Sequence, residues 1–136
     1  MAPDLSDIGL AVKRLQWRHH REANQRLAAL GVSLPQWDVL RHLSRQPDAS
    51  LHALAQLTFQ TDQSMGTLAA RMIERGLLTR LDGPGRAVRH SLTADGERIR
   101  AAGAQIIDSV LTESIGTLSQ RDRDTLYRLL VKAAEA

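Results

Sequence analysis

Three polar side chains recur at four-residue spacing in the middle of the chain. Gln63, Thr67 and Arg71 are predicted to share one face of a helix, because residues four apart lie one above another. The apolar residues of the same stretch fall on the opposite face, as Met65, Leu68, Ala69, Met72 and Ile73. An amide, a hydroxyl and a guanidinium can hydrogen-bond base edges and phosphates, so the pattern favours a helix that reads duplex DNA. A two-helix corner with a solvated polar face fits the periodicity almost as well.

An arginine-rich β-hairpin is predicted directly after this helix, and it decides between the two interpretations. Residues 77–81 and 86–92 alternate as strands do, and residues 82–85 have the glycine and proline of a turn. From Arg71 to Leu92 the chain has five arginines and two acids, a balance of +3 that equals the net charge of the whole chain. Arginines beside a duplex gain phosphate contacts and release counterions, so the hairpin favours DNA.

Helices are predicted for nearly all of the remaining chain, and short polar residues mark where they begin. A first helix covers residues 5–30 and ends at Gly31, and another follows the hairpin and ends near residue 115. The predicted helix caps are Ser33 with Gln36, Ser50, Thr61, Thr93 and Ser119. The fold is therefore predicted to be mainly α with a small β-hairpin, as a winged helix-turn-helix with long terminal helices.

The turn before the helix that begins at Thr61, the reading helix, has an unusual composition. Many helix-turn-helix turns contain a glycine, whereas Phe59 and Gln60 occupy this one. Because Phe59 is bulky and apolar, we expect it to fill the angle between the reading helix and the helix before it.

Composition limits the classes of protein that fit this chain. Its 136 residues are enough for one domain, and 3% aromatic residues leave a mostly aliphatic core. The absence of cysteine from the sequence excludes disulfides and thiol-based redox sensing.

The sequence has no enzyme or cofactor motif. The adjacent His19 and His20 point about 100° apart on a helix, which excludes them as a chelating pair. No apolar run reaches about 20 residues and no signal-peptide pattern is present, so we expect a cytoplasmic protein without a membrane partner.

Apolar stripes on the two terminal helices predict a homodimer. The residues expected at the dimer interface are Leu5, Ile8, Val12, Leu126, Leu129 and Leu130. One chain has little left to cover these stripes, because its middle part must already build the core of the DNA-binding region. A dimer would present two reading helices to half-sites one helical turn of DNA apart, ~34 Å. The alternative is a monomeric bundle that the same helices close.

Four sequence segments, in their order and spacing, resemble the MarR family of bacterial transcriptional regulators. They are SLPQWDVLRHL, LHALAQL, MIERGLLTR and RAVRHSLTADGERI, and they cover about residues 34–99. The resemblance implies a homodimeric winged-helix protein that binds a palindromic operator and is released from it by a small ligand or by oxidation. It also implies that Arg86 is the wing arginine of the family. Pro84 stands where the family has an aspartate, so the acid of the usual wing ion pair is missing at that place.

The residues expected to contact DNA come from the start and exposed face of the reading helix and from the hairpin. They are Thr61, Gln63, Ser64, Thr67, Arg71, Arg80, Arg86 and Arg89. Gln63 is the leading base-reading residue because its amide can pair bidentately with adenine, and Thr67 can contact a thymine methyl group. Arg86, which matches the wing arginine, is the leading contact to the minor groove or a phosphate. Asp62 would repel phosphate, so we expect it to complement the helix dipole instead.

A small-molecule site is a further expectation from the resemblance, which places effectors in a crevice between the dimer helices and the DNA-binding region. The residues expected near it are Trp17, His20, Trp37 and Arg41. Indoles beside cationic groups suit a small aromatic or anionic effector, such as an aromatic carboxylate. The alternative is that both tryptophans only pack the core or an interface.

These patterns predict one domain over residues 1–136, with dimerisation helices at 1–32 and 94–136 and a winged-helix DNA-binding region at 33–93. The predicted function is that of a dimeric, sequence-specific transcriptional repressor, without a cofactor, that an effector releases from a palindromic operator in double-stranded DNA. The alternative is a winged-helix module that binds another protein and has lost DNA binding, which the departure at Pro84 keeps open.

Overall fold

The computed structural model describes residues 1–81 and 87–135. Within these ranges the chain forms six α-helices and two strands: α1 (Leu5–Leu27), α2 (Leu34–Arg45), α3 (Leu51–Leu57), α4 (Asp62–Glu74), β1 (Leu78–Leu81), β2 (Arg89–Leu92), α5 (Ala94–Thr112) and α6 (Gln120–Glu135). Pro84 and Arg86, which the sequence singles out in the wing, lie outside the described residues. None of the helices in these ranges has both the length and the apolar character needed to cross a membrane.

Side-chain caps set the start of the helices, and they confirm the caps predicted from the sequence. Ser33 and Gln36 make both hydrogen bonds of a capping box ahead of α2, at 3.3 and 3.0 Å. The Thr61 hydroxyl accepts a hydrogen bond from the Ser64 N–H at 3.1 Å, so α4, the reading helix, begins at Asp62. The same kind of bond caps three further helices, at Ser50, Thr93 and Ser119.

Two helices end earlier than the sequence pattern indicates. The α-helical part of α1 ends at Leu27 and continues as a 3-10 helix, Ala28–Leu30, before Gly31 turns the chain with a φ of 76°. Helix α5 ends at Thr112, and a second 3-10 helix, Ile115–Thr117, follows it. The apolar spacing of a single 3-10 turn is close to that of an α-helix, so the sequence pattern could not separate the two.

The core is mostly aliphatic and lies in the middle of the chain. Its most completely buried side chains are Leu27, Val39, Leu40, Leu54, Met65, Met72 and Leu78. On α4, burial of Met65, Ala69 and Met72 confirms the predicted inner face. The prediction for Ile73 is wrong, since this side chain is 36% exposed. Ile73 follows Met72 directly, so the two side chains point about 100° apart and Ile73 lies at the edge of the inner face.

The two strands form an antiparallel hairpin that is shorter than predicted, with four residues in each strand. In its register Arg80 lies opposite His90. The Leu51 N–H at the start of α3 donates to the carbonyl of Val88 at 2.8 Å. This bond joins the hairpin to the helix-turn-helix, so the wing and the reading helix are held in one unit.

The turn between α3 and α4 does not bury Phe59, and the expectation that it fills the angle between the helices is wrong. The Phe59 side chain is 97% exposed. Its backbone has a φ of 57°, in the left-handed region that favours glycine. Phe59 therefore takes the backbone conformation that a glycine usually supplies in such turns, and its ring lies outside the helix pair.

Hydrogen bonds between residues far apart in the sequence hold the winged-helix region, residues 33–93, against the first helical segment and α5. They join the Leu34 N–H to Asn24 Oδ1 at 2.8 Å, Trp37 Nε1 to the Arg100 carbonyl at 3.0 Å, and the Arg75 guanidinium to the Gly31 carbonyl. Because Arg75 follows α4 directly, the last bond ties the end of the reading helix to the end of the first helix.

The terminal helices leave apolar faces uncovered. No residue of α6 is buried over its described length. Of the predicted interface residues, Leu126 is half-buried and the others are exposed: Leu5, Ile8, Val12, Leu129 and Leu130. An apolar groove of about 460 Å³ runs between α1 and α6 and is lined by Ile8, Val12, Leu15, Leu126 and Leu130 among others. In the part of the chain that the structure describes, these helices do not close a monomeric bundle.

We predict that Gly103→Ala destabilises the fold, because a Cβ there would lie 2.3 Å from Cδ1 and Nε1 of Trp37. The indole would have to move and would lose its hydrogen bond to the Arg100 carbonyl. Overpacking of this kind costs about 1–3 kcal/mol, which denaturant unfolding would measure.

Gly66→Ala is the matched control, since a Cβ at Gly66 would meet only Leu51 Cδ2, at 3.8 Å. Alanine is the better helix former by up to about 1 kcal/mol, so the control should keep or gain stability. Equal stability of the two variants would contradict the close packing of Gly103 on the indole.

Candidate nucleic-acid interface

The exposed face of α4 borders an open groove. Gln63, Thr67 and Arg71 are all exposed, as their four-residue spacing predicts. They line a groove of about 440 Å³ together with Pro35, Gln60, Thr61, Ser64 and Leu68. Five of the residues predicted to contact DNA are therefore brought together on one surface, and the start of α2 forms its opposite side.

The polar groups of this groove divide into two kinds. The hydroxyls of Ser64 and Thr67 donate to Gln60 Oε1 at 3.0 Å and to the Gln63 carbonyl at 3.2 Å. By contrast, the side chains of Gln63 and Arg71 have no hydrogen bond or ion pair with any residue in the described ranges. A DNA base or phosphate could engage these two side chains without first breaking an internal bond.

Asp62, the first residue of α4, has a partner that the sequence did not indicate. Its Oδ1 lies 2.8 Å from Nδ1 of His52 on α3, and both side chains are largely exposed. An acid in the first turn complements the helix dipole, as expected. The imidazole contact also gives the carboxylate a neighbour on α3.

The two described wing arginines lie on opposite faces of the hairpin. Arg80 pairs with His90 in the register, whereas Arg89 pairs with Leu81, one position along. Successive residues of a strand point to opposite faces, so the two guanidinium groups do not form one cluster. Nε of Arg89 is buried and has no hydrogen-bond partner among the described residues. Arg86, the leading wing contact in the sequence analysis, lies outside them.

A buried histidine lies at the root of the wing. His90 is 3% exposed, and its Nδ1 has no hydrogen-bond partner among the described residues. Burial, and secondarily the charge of Arg80, lower the pKa of this imidazole below its ordinary value. The strand alternation of residues 86–92 gave no sign of this electrostatic effect on His90.

Trp37 and Arg41, two of the residues predicted for a small-molecule site, lie together. The Arg41 guanidinium carbon is 5.2 Å from the centroid of the Trp37 ring, and Nη2 of Arg41 is 2.5 Å from Asp38 Oδ1. Both residues line a cavity of about 250 Å³ between α2 and α5, with Arg45, Arg100, Ile107 and Leu111 among the other lining residues. Nε of Arg41 is buried without a hydrogen-bond partner in the described part of the chain.

Trp17 and His20 do not join this cavity within one chain. Their rings stack on each other with centroids 5.9 Å apart, and Trp17 is 58% exposed. His19 instead has a partner beyond the end of α5, since its Nε2 lies 2.6 Å from the Ser114 hydroxyl. Adjacent helical residues point about 100° apart, so the two half-buried imidazoles have different neighbours. Burial, and secondarily the charge of Arg18, lower the pKa of His19.

Sequence reasoning missed two basic residues at the cavity, Arg45 and Arg100. Arg100 makes two hydrogen bonds to the Glu97 carboxylate, at 2.7 and 2.9 Å, which raise its pKa. The wide apolar band of α5, which includes Ile107, was the available signal that α2 packs against this helix. It could not show which basic side chains flank the contact.

Comparisons with known proteins place this geometry among regulators. Residues 30–87 match the family model described as the MarR family. The chain is 35% identical over 107 residues to the transcriptional regulator HosA of Escherichia coli O111:H-, covering 77% of this chain and 79% of HosA. It is 26% identical over 131 residues to the HTH-type transcriptional repressor Rv2887 of Mycobacterium tuberculosis, covering 95% and 94% of the two chains.

A solved structure extends the similarity to the whole fold. The Mycobacterium tuberculosis MarR family protein Rv2887, in complex with p-aminosalicylic acid, superposes with a TM-score of 0.76 at 25% identity. The match covers 98% of this chain and 99% of the other. It confirms the predicted winged-helix fold class.

Proposed function

The chain belongs to the MarR family, and we propose that it is a sequence-specific DNA-binding transcriptional regulator. In this proposal a homodimer represses transcription from a palindromic operator in the cytoplasm, and a small-molecule effector releases it. Its relatives are named as regulators and repressors, which supports a binding role rather than catalysis. The observation that carries the proposal is the exposed face of α4, where Gln63 and Arg71 are free of internal partners in the described ranges.

DNA recognition in this proposal combines base readout from α4 with backbone contacts from the wing. Gln63 reads a base edge, since an amide can pair with adenine, and Arg71 reaches a guanine or a phosphate. Thr61, Ser64 and Thr67 supply shorter contacts around the same groove. The arginines of the hairpin, Arg80, Arg86 and Arg89, add the phosphate and minor-groove contacts that position the protein without reading sequence.

Dimerisation supplies the second reading helix. We assign this role to residues 1–32 and 94–136, and DNA binding to residues 33–93. The support is the uncovered apolar surface of α1 and α6, which a second copy could bury. Two-fold symmetry would then match the two halves of a palindromic operator.

The effector in this proposal is a small aromatic carboxylate that binds beside Trp37 and Arg41. The indole offers an apolar wall, and the unpartnered Nε of Arg41 offers a charged donor. The Rv2887 complex with p-aminosalicylic acid supports this class of ligand. The cavity lies between α2, in the winged-helix region, and α5. A ligand there can shift the winged-helix region relative to the dimer helices, provided that it binds the DNA-bound and DNA-free conformations unequally.

We predict that Gln63→Ala weakens binding to the operator by about 1–3 kcal/mol and has little effect on random duplexes, because it removes one base-reading contact. The operator would first be selected from a random DNA pool with the parent protein, and affinities measured by fluorescence anisotropy. Gln105→Ala, which removes an exposed glutamine from α5, is the matched control and should bind as the parent does.

Equal losses for Gln63→Ala on operator and random DNA would remove Gln63 from base readout. A parent protein that selects no sequence and shows no salt-dependent duplex binding would instead support the protein-interaction module. Arg86→Ala tests the wing separately, since loss of one phosphate contact should weaken all duplexes and lower the salt slope by roughly one unit.

We predict that salicylate quenches Trp37 fluorescence with saturation and releases operator DNA at the same concentrations. Trp17→Phe leaves Trp37 as the only tryptophan in the sequence and should keep both responses. Arg41→Ala in that background should abolish them, because the carboxylate loses its charged donor. Quenching that survives in Trp37→Phe and disappears in Trp17→Phe would move the site to the Trp17 and His20 stack.

A further inference from the structure

Phe59 contributes little to the fold that contains it. Its side chain is 97% exposed, so the ring buries almost no surface when the chain folds. Its φ of 57° is a conformation that L residues other than glycine, asparagine and aspartate rarely adopt. A glycine would make the same turn without this strain. The side chain therefore costs backbone energy and returns no packing within the described part of the chain.

Hydrogen bonds on both sides hold the backbone of this turn. The Thr58 hydroxyl donates to the Leu54 carbonyl at 2.6 Å, and the Gln60 N–H donates to the Ala55 carbonyl at 2.8 Å. Both anchors are on α3, which packs against the core. The position from which the Phe59 ring projects is therefore set by the fold.

The next residues in the chain belong to the DNA-facing groove. Gln60 and Thr61 line that groove with Gln63, and Gln60 accepts a hydrogen bond from the Ser64 hydroxyl at 3.0 Å. Phe59 thus projects from the chain one residue ahead of the groove, at the end of α4 that enters DNA in helix-turn-helix proteins.

We infer that Phe59 is a direct contact to the operator, packing its ring on the apolar edge of a nucleotide beside the half-site. The inference rests on the proposed DNA-binding function. Two groups of DNA offer this apolar chemistry, the C5 methyl of thymine and the carbon skeleton of deoxyribose. Contact with the methyl group adds sequence preference, whereas contact with the sugar adds affinity alone.

Three substitutions separate the ring from the backbone. Phe59→Ala removes the ring and keeps a strained residue, Phe59→Gly removes both ring and strain, and Phe59→Leu keeps apolar bulk. We expect Phe59→Ala and Phe59→Gly to lower operator affinity roughly tenfold, as burial of part of a phenyl ring implies, and Phe59→Leu to lose less. Phe59→Gly should be at least as stable as the parent in thermal unfolding, which separates lost binding from lost folding.

Duplexes with deoxyuridine in place of single thymidines identify the DNA group. If the ring contacts a methyl group, one such replacement weakens the parent protein and leaves Phe59→Ala unaffected. If it contacts deoxyribose, no replacement has this effect, although Phe59→Ala still binds more weakly.

Unchanged operator affinity in both Phe59→Ala and Phe59→Gly, with a parent protein that binds its operator, overturns this inference alone. A change in molar mass for these variants in the absence of DNA also overturns it, because the ring would then cover another copy of the chain. A parent protein that binds no duplex removes the proposed function itself.

Discussion

The structure depends on apolar surface that one copy of the chain cannot cover. Helix α6 has no buried residue over its described length, and Leu5 near the start of α1 is 87% exposed. The core is already complete around Leu40, Leu54 and Met65 in the middle of the chain, so it does not reach these faces. Water contact with them is unfavourable, which makes a second copy the natural partner and accounts for the two-fold arrangement of the proposed dimer.

The position of each reading helix follows from that arrangement through a few fixed bonds. Arg75 ties the end of α4 to Gly31, and Trp37 ties α2 to Arg100 on α5. In the proposed dimer these bonds connect the dimer helices to the groove that contains Gln63. Trp37 and Arg100, which make one of these hydrogen bonds, also line the cavity of the proposed effector site.

Local signals in the sequence predicted much of the fold, because helix caps and strand alternation depend on neighbouring residues. The caps at Ser33 and Thr61 are where the sequence put them, and the inner face of α4 differs only at Ile73. The candidate site was harder to predict, since it depends on which helix faces meet across long separations. Trp37 lies against Arg41, one turn away on the same helix, whereas Trp17 is exposed. The exposed, left-handed Phe59 had only one signal, the missing glycine of the turn.

The molar mass of the protein in solution tests the central claim most directly. Light scattering at micromolar concentration should give twice the 15.0 kDa of one chain. The variant with both Leu126→Asp and Leu129→Asp should shift toward the monomer or aggregate, because two charges would lie in the buried interface. A parent protein that scatters as a stable 15.0 kDa monomer at this concentration would contradict the account.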